Sequence, residues 1–488
     1  MAGSLLRAAL AALALSTAPV PLLAAPAATT VAPAELAGFV DGVVAEQIAA
    51  REVAGAVVTV VQGGKVVLNR GYGHQDLAAG VPVDATRSLF RPGSVSKLIT
   101  WTALMQQVEA GRVDLDADVN RYLDFTIPPF DGKPIRVRDL FTHSVGMSDA
   151  PGIITRDPAK LLPFREWMKR NIPRRVWAPG TEIAYSNYGA ALAGYIVAQV
   201  SGEEFDPYVE RHILGQLKMG STSFREPLPP ALAPRMSKGY RLENGRFVEQ
   251  APELISAIAP AGAATSNGPD MARFIRMLLG GGTLEGQQVL KPESVRFLLS
   301  DGLSNAPGLP GMAHGFFVFR NGGPSSGPRL VGHGGNTADF HSILVLAPER
   351  NAGFFISMTG GAGSYGARTE LADLLVAKLF PDTPMARQPR PADEPQPSGA
   401  FRANRRNYDA PVRPEYDATV ASAGPNALTV TMEGKASHWE RVGPLMYERV
   451  TATGPGGPFE RLQFVTGPTG WRLVFGTQPH MAWHRVTP

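Results

Sequence analysis

Two groups of β-rich sequence that lie far apart in the chain constrain its possible folds most strongly. Residues 56–61 and 66–68 flank Gly63 and Gly64, a pair typical of a hairpin turn between two strands. The second group follows a long section of helical runs and loops and comprises residues 315–319, 329–332, 342–346 and 353–358. Strands at both ends of a helical section predict one sheet, made from both ends, that packs beside a helical domain.

Segments with helical periodicity precede the first group of strands and follow the second. Residues 33–52 carry apolar side chains at helical spacing before the first strands, and residues 367–380 do so after the last ones. A third helical run, residues 94–110, follows the first hairpin. We therefore predict an α+β domain over residues 33–381.

The sequence changes character after residue 381. Residues 382–399 are rich in proline, with Gln, Asp and Glu between the prolines, which is typical of a semi-rigid linker. In residues 400–488, apolar residues alternate with period two in short runs that predict strands: residues 427–432, 439–442, 445–450, 462–465, 471–475 and 481–486. We predict a small all-β domain over residues 400–488 and expect it to cover or pack against the larger domain.

The first residues have the pattern of a secretory signal peptide. Arg7 precedes an apolar stretch over residues 8–23, and Ala25 and Ala27 offer a small-residue cleavage site. We predict a signal peptide over residues 1–27 and a periplasmic or secreted protein; the alternative is a segment that is kept as a membrane anchor. No later segment approaches ~18 unbroken apolar residues, so we expect no transmembrane segment in the mature chain.

Composition excludes several functions. The formal charge is +4, and the Lys and Arg residues form no block, which argues against nucleic-acid binding. The chain has no cysteine, and its nine histidines form no metal-ligand pair. We expect no metal and no cofactor, and a small molecule or a peptide as the partner. The oligomeric state is left open.

Ser94 and Lys97 form the only Ser-x-x-Lys sequence in the chain. Pro92 and Gly93 come just before a helical run and place Ser94 at the start of a helix, so that Lys97 shares its face. A serine needs a neighbouring base, and a lysine serves as one when its pKa is lowered. The backbone amide of Ser94 would also donate to a developing oxyanion. Taken alone, the motif is equally compatible with a capped helix and an exposed lysine.

Tyr185 and Asn187 form the only Tyr-x-Asn sequence, on a turn that enters a helix. A tyrosinate beside a lysinium can take the serine proton and return it to the leaving group. The amide of Asn187 can hold both a lysine amine and a substrate carbonyl. A tyrosine on a helix face is more often a core residue, so this motif alone does not establish a catalytic role.

A third motif, His333-Gly334-Gly335-Asn336, follows a β-rich run. Glycine on an edge strand allows a ligand backbone to come close, which makes Gly335 a candidate for orienting the substrate. The backbone amide of Asn336 would be the second oxyanion donor beside that of Ser94. The alternative for the motif taken alone is a plain glycine turn.

The three motifs, in this order, resemble those of the serine β-lactamase-related hydrolases, in particular the branch with class C β-lactamases, D-aminopeptidases and carboxylesterases. Residues 140–147, 217–220 and 260–274 resemble further stretches of that family. The resemblance implies a β-lactamase/transpeptidase-like fold, with an antiparallel sheet and helices on both of its faces. It implies that Ser94 is acylated, that Lys97 and Tyr185 relay protons, and that Asn187 and His333 orient the substrate.

The expected function is that of an exported serine hydrolase which acts through an acyl-enzyme on a D-amino-acid peptide, a small ester or a β-lactam. The alternative is a penicillin-binding or peptidoglycan-peptide-binding protein with little turnover. His333 departs from the family pattern, because β-lactamases proper have a lysine there that binds the substrate carboxylate. Since histidine is mostly neutral near pH 7, this departure favours peptides, amides or esters over penicillins.

Overall fold

A nine-stranded antiparallel sheet organises the region before residue 381 in the computed structural model, which describes residues 30–323, 327–451, 457, 459–467 and 470–486. The predicted signal peptide, residues 1–27, lies outside the described residues. In chain order, the strands of this region are β1 (Gly55–Gln62), β2 (Lys65–Asp76), β3 (Val81–Pro82), β4 (Gly239–Glu243), β5 (Arg246–Gln250), β6 (Thr283–Leu284), β7 (Gln287–Gln288), β8 (Asp301–Leu303), β9 (Met312–Ala313), β10 (Phe317–Arg320), β11 (Leu330–Asn336), β12 (Phe340–Ala347) and β13 (Ala352–Thr359).

The order of the strands in the sheet is β3-β2-β1-β13-β12-β11-β10-β9-β8, while β4 pairs with β5 and β6 with β7 in separate hairpins. β1 pairs with β13 over its whole length, so that Gly55 lies opposite Thr359. This pairing confirms the prediction of one sheet made from both ends of the region. β11 continues four residues beyond the predicted run because pairing with β12 keeps the glycine-rich segment extended, although glycine itself favours no strand.

Both faces of the sheet are buried under helices, as predicted. Along β1, Val57 and Val61 belong to one hydrophobic cluster, whereas Val58 and Val60 belong to another on the opposite face. The apolar run of β1 is therefore continuous because the strand is covered on both sides. The helices are α1 (Pro33–Ala49), α2 (Lys97–Glu109), α3 (Val137–Phe141), α4 (Phe164–Arg170), α5 (Asn187–Ser201), α6 (Phe205–Val209), α7 (Gly268–Leu279), α8 (Pro292–Leu299) and α9 (Ala362–Leu379).

α1 and α9 cover one face, α7 packs on the other, and α2 and α5 pack together in the helical part. The predicted helix over residues 94–110 consists of a 3₁₀ turn, Gly93–Ser96, followed by α2. Nearly all of α2 is buried. Within the described ranges, no helix is both long and apolar enough to cross a bilayer.

The predicted small β-domain is a closed barrel. Its strands are β14 (Gly399–Ala403), β15 (Asp417–Ser422), β16 (Ala427–Met432), β17 (Lys435–Gly443), β18 (Met446–Arg449), β19 (Arg461–Gly467), β20 (Gly470–Phe475) and β21 (Trp483–Arg485). Large side chains such as Phe401, Trp439, Phe464 and Trp483 fill its interior, as expected for a barrel of about eight strands. β14 and β15 were not among the predicted strands.

The proline-rich segment lies against the barrel. Glu394 accepts two hydrogen bonds from Arg441 of β17, at 2.7 and 2.9 Å, and both side chains are almost fully buried. Arg387 pairs with Glu440 and with the buried Glu448, each at 2.6 Å. These ion pairs fix residues 387–394 on the barrel wall, so this part of the predicted linker is bound rather than free. Residues 31–488 form one compact unit.

Candidate active site

Ser94 lies on the 3₁₀ turn before α2, and the glycine-rich end of β11 runs directly beside this turn. A Cβ atom added to Gly335 would lie 1.9 Å from the carbonyl oxygen of Pro92, so only glycine fits there. Gly93 has a φ of +54°, in the left-handed region that favours glycine. The two glycines therefore allow the strand and the nucleophile-bearing turn to come into contact.

Lys97 is the first residue of α2, and its side chain is fully buried beneath this turn. Its Nζ lies 3.0 Å from Ser94 Oγ, 2.8 Å from Asn187 Oδ1 and 2.5 Å from the carbonyl oxygen of Ala261. Burial lowers the pKa of Lys97 well below its usual value, and the nearby positive charge of Arg405 lowers it further.

The three contacts of Lys97 match the hydrogen-bonding capacity of a neutral amine. The oxygens of Asn187 and Ala261 can only accept, so they use two N–H groups of Lys97. The hydroxyl of Ser94 can donate, and it faces the remaining position on the nitrogen. Without its third proton, a state that the lowered pKa favours, Lys97 would present a lone pair to the hydroxyl proton of Ser94.

Tyr185 lies beside Lys97, just before α5. Lys97 Nζ is 4.9 Å from the centroid of the Tyr185 ring, and the ring of His143 stacks on Tyr185 at 4.3 Å between centroids. Burial raises the pKa of Tyr185 above its usual value, and the opposing effect of the neighbouring Ser94 hydroxyl is smaller. Its hydroxyl has no hydrogen-bond partner among the described residues. Tyr185 is therefore a protonated phenol near neutral pH.

His333 is fully buried on β11 and neutral. Burial is the main cause that lowers its pKa to about 3, and an ammonium form of the neighbouring Lys97 would oppose protonation of His333 further. Nδ1 lies 2.5 Å from the carbonyl oxygen of Gly334, which can only accept, so Nδ1 carries the proton. Nε2 is then an acceptor, and it has no partner in the part of the chain that the structure describes.

The direction of the Asn336 backbone amide follows from the pairing of β11 with β12. Thr337 donates its amide to the carbonyl oxygen of Phe340, and bonded pairs alternate along an antiparallel ladder. The N–H of Asn336, one residue earlier, therefore points away from β12. Its nitrogen lies 3.0 Å from the position of a Cβ added to Gly93. The Asn336 amide is therefore not used within the sheet and lies next to the turn that carries Ser94, where a donor of an oxyanion hole is needed.

These groups surround a pocket of about 280 Å³. Of the residues predicted from the sequence, Ser94, Tyr185, Asn187, His333 and Asn336 line it, while Lys97 lies beneath it. Gly335 does not line the pocket; its neighbour Gly334 does. Isoleucines form much of the remaining wall: Ile153, Ile154, Ile255 and Ile258.

The barrel contributes two residues to this pocket that the sequence analysis did not identify. Arg405 places Cζ 4.6 Å from the centroid of the Tyr185 ring and pairs with Asp149 at 3.5 Å. His480 accepts the backbone N–H of Tyr185 through its carbonyl oxygen at 2.9 Å, and its ring stacks on Phe317 at 5.0 Å.

Phe317 is in turn stacked on His333, with 4.2 Å between the ring centroids. The barrel thus contacts Tyr185 directly and supports His333 through Phe317. Neither Arg405 nor His480 belongs to a spaced motif, so the sequence carries no signal for them. His143 lies in one of the stretches that resemble the family, but its position under Tyr185 was not predicted.

No group of three or more His, Asp or Glu side chains within the described ranges is arranged to hold a metal ion. The polar side chains in and beneath the pocket include the hydroxyl of Ser94, the amine of Lys97, the phenol of Tyr185 and the amide of Asn187. The imidazoles of His333 and His480 and the guanidinium of Arg405 complete its wall. The chemistry that they support is nucleophilic attack with proton transfer.

Curated relatives resemble this chain over about two thirds of its length. Protein flp of Staphylococcus aureus (strain N315) is 24% identical over 331 residues, which are 65% of this chain and 62% of flp. This chain thus spans less than two thirds of the length of that relative. Protein Rv1367c of Mycobacterium tuberculosis is 29% identical over 366 residues, which are 68% of this chain and 86% of that protein.

Two solved structures share the fold. The octameric penicillin-binding protein homologue from Pyrococcus abyssi is 21% identical with a TM-score of 0.60, and SurE is 19% identical with a TM-score of 0.64. Each comparison covers 92% of this chain and 99% of the other. The sequence model of the Beta-lactamase family matches residues 40–378, which confirms the resemblance inferred from the three motifs. The chain belongs to the Beta-lactamase family.

Proposed function

We propose that this protein is an exported serine hydrolase that forms an acyl-enzyme on Ser94 and cleaves an amide or an ester. The observation that carries the proposal is the contact of 3.0 Å between Ser94 Oγ and the buried amine of Lys97, whose two other partners are acceptors. A fully buried lysine with a lowered pKa is suited to act as a general base.

Acylation begins when Ser94 Oγ attacks the substrate carbonyl carbon and passes its proton to Lys97. The carbonyl oxygen becomes negatively charged, and the backbone amides of Ser94 and Asn336 donate hydrogen bonds to it. Asn187 keeps Lys97 in place and offers its amide to the substrate. The buried ammonium that results is unstable in this site, which favours the onward transfer of its proton.

The leaving group takes its proton from Tyr185, and Tyr185 regains one from Lys97. The raised pKa of Tyr185 keeps the phenol protonated until the leaving group departs, so Lys97 rather than a tyrosinate starts the reaction. Deacylation reverses these roles: water gives its proton to Lys97 through Tyr185, attacks the ester carbon and releases the acid. Ser94 recovers its proton in the last step.

The pocket favours a small acyl group with an apolar side chain. Its volume is about 280 Å³, and four isoleucines contribute to its wall. At the third motif, the neutral His333 offers a lone pair from Nε2, which cannot bind a substrate carboxylate and would repel it. We therefore infer that amides, small esters or D-amino-acid derivatives are better substrates than penicillins. SurE, a fold neighbour, has been solved with D-Leu, so D-leucine derivatives belong in the substrate panel.

Active-site labelling tests the proposal. The protein is treated with a fluorophosphonate, the modified residue is mapped by mass spectrometry, and turnover of p-nitrophenyl butyrate is measured. We expect the label on Ser94 and turnover that Ser94→Ala abolishes, while the matched variant of an exposed serine, Ser300→Ala, keeps both. A label on Ser94 without turnover would favour the alternative, a penicillin-binding protein that only traps its acyl group. A label elsewhere would refute the assignment.

Export rests on the pattern of residues 1–27, and a separate experiment tests it. The full chain and a chain without residues 1–27 are produced in a bacterial host, and the activity is assayed in periplasmic and cytoplasmic fractions. We expect periplasmic activity only for the full chain. Equal cytoplasmic retention of both would contradict the prediction.

A further inference from the structure

A second cavity lies on the other side of the segment that carries Tyr185. It encloses about 740 Å³ between the outer wall of the barrel and residues 176–182. β14, β20 and β21 form its barrel side. Because large side chains fill the barrel interior, this cavity lies outside the barrel, in the space between the barrel and the catalytic region.

Its barrel wall is a row of basic side chains. His484 on β21 lies opposite Arg402 on β14 and opposite Arg472 on β20, so the three are cross-strand neighbours. Their side chains point outwards, since Ala403, Leu473 and Trp483, which adjoin them in sequence, belong to the barrel core. In total four arginines line the cavity against one carboxylate, that of Glu182: Arg402, Arg406, Arg472 and Arg485.

The available carboxylates leave part of this charge uncompensated. Glu182 lies 2.5 Å from His484 and 3.7 Å from Arg472, and Asp417 holds Arg402 through two hydrogen bonds at 2.7 and 2.9 Å. Among the residues that the structure describes, no carboxylate lies within 4.0 Å of the guanidinium of Arg406 or Arg485. Such unpaired guanidinium groups favour binding of an oxyanion, which they can hold through two parallel hydrogen bonds.

Aromatic side chains form the wall next to these charges. The guanidinium of Arg406 lies over the ring of Tyr408, with Cζ 4.3 Å from the ring centroid. Trp177 lines the cavity too, and its buried indole N–H finds no acceptor among the described residues. The volume is in the range of small-molecule sites and far exceeds that of a lone ion.

We propose that this cavity binds a small organic oxyanion, with a carboxylate, phosphate or sulfonate group on Arg406 and Arg472 and an aromatic or apolar body against Trp177 and Tyr408. The site is distinct from the catalytic pocket. In the bend that follows β14, Asn404 and Arg406 line the new cavity, whereas Arg405 between them lines the catalytic pocket. A ligand there would touch Glu182, three residues before Tyr185.

The test uses 8-anilino-1-naphthalenesulfonate, which carries a sulfonate on an aromatic body, and measures its fluorescence on the full-length protein. Ser94 is first blocked with a fluorophosphonate, so that the catalytic pocket is filled. N-phenyl-1-naphthylamine, which has a similar body without the sulfonate, is the matched uncharged probe. We expect one saturable site for the sulfonate and at least tenfold weaker binding of the uncharged probe.

Variants then locate the site. Arg406→Gln should weaken sulfonate binding at least tenfold, and Arg406→Lys should weaken it less. Arg472→Gln serves as a second variant should Arg406→Gln not fold, and the exposed Arg296→Gln is the control that should bind as the wild type does. Binding within twofold of the wild type in a folded Arg406→Gln or Arg472→Gln protein would overturn the proposal. So would loss of binding when Ser94 is blocked, or equal affinity for the two probes.

Discussion

Replacing Arg405 with glutamine measures how far the barrel sets the basicity of the catalytic lysine. Arg405 Cζ and Lys97 Nζ lie 4.6 and 4.9 Å from the centroid of the same Tyr185 ring, so less than about 10 Å separates the two charges. At an effective dielectric constant of about 20, two like charges at ~10 Å repel by about 1.7 kcal/mol, which corresponds to roughly one pKa unit.

The sign of the expected change is fixed by the chemistry. In the proposed mechanism Lys97 acts as a base in its neutral form, and Arg405 disfavours its charged form, so the loss of Arg405 raises the pKa of Lys97. Asp149, left without its partner, shifts the pKa in the same direction. The acidic limb of the pH profile should therefore move to higher pH by about one unit.

The assay is the pH dependence of kcat/KM with p-nitrophenyl butyrate, which reports the ionisation of the free enzyme. Because the substrate is neutral, the shift of the pH profile cannot come from a lost contact between Arg405 and a charge on the substrate. Arg405→Lys keeps the positive charge and should leave the midpoint near that of the wild type. Asp149→Asn should move it to lower pH. A midpoint that shifts by less than about 0.3 unit in Arg405→Gln, or that moves to lower pH, would refute the electrostatic role.

Further predictions concern the residues of the three motifs. Ser94→Ala should abolish labelling and lower turnover by about 10⁴-fold or more with the fold intact, and a tenth of the activity remaining in the variant would disprove its role. Lys97→Ala and Tyr185→Phe should each lower the acylation rate severely, but the double variant only slightly further, because the two share one proton path; losses that multiply would show independent functions. His333→Lys should raise kcat/KM for nitrocefin relative to p-nitrophenyl butyrate, because a lysine offers a charge-assisted bond to the substrate carboxylate. An unchanged ratio would show that the residue at position 333 does not bind the substrate carboxylate.

The sheet was predictable because its signal is local. Alternating or continuous apolar runs around residues 60 and 350 reflect burial on one or both faces, and burial is what holds β1 against β13. β14 and β15 lacked such a signal: Asp417–Ser422 has only two buried residues, Ala418 and Val420, and its outward side chains are polar or small. Their pairing is supplied by the closure of the barrel.

The contacts among the residues of the first two motifs were predictable for a related reason. Ser94 and Lys97 share one turn, and Tyr185 and Asn187 share another, so that short spacing encodes their geometry. Arg405 and His480 come from connections between strands of the barrel, and only the docking of the barrel brings them to Tyr185. Burial, which turns Lys97 into a base, is likewise a property of the folded molecule and not of the motif.

The pairing of β1 with β13 and the contact of Tyr185 with His480 have a consequence for the order of folding. β1 can pair with β13 only after some 300 further residues have been synthesised, since Gly55 pairs with Thr359, and such distant pairing is slow. The catalytic pocket closes later still, after residue 480 has been synthesised. A ribosome-bound chain therefore carries its nucleophile without a finished site, and hydrolytic activity should arise only once synthesis has passed the barrel.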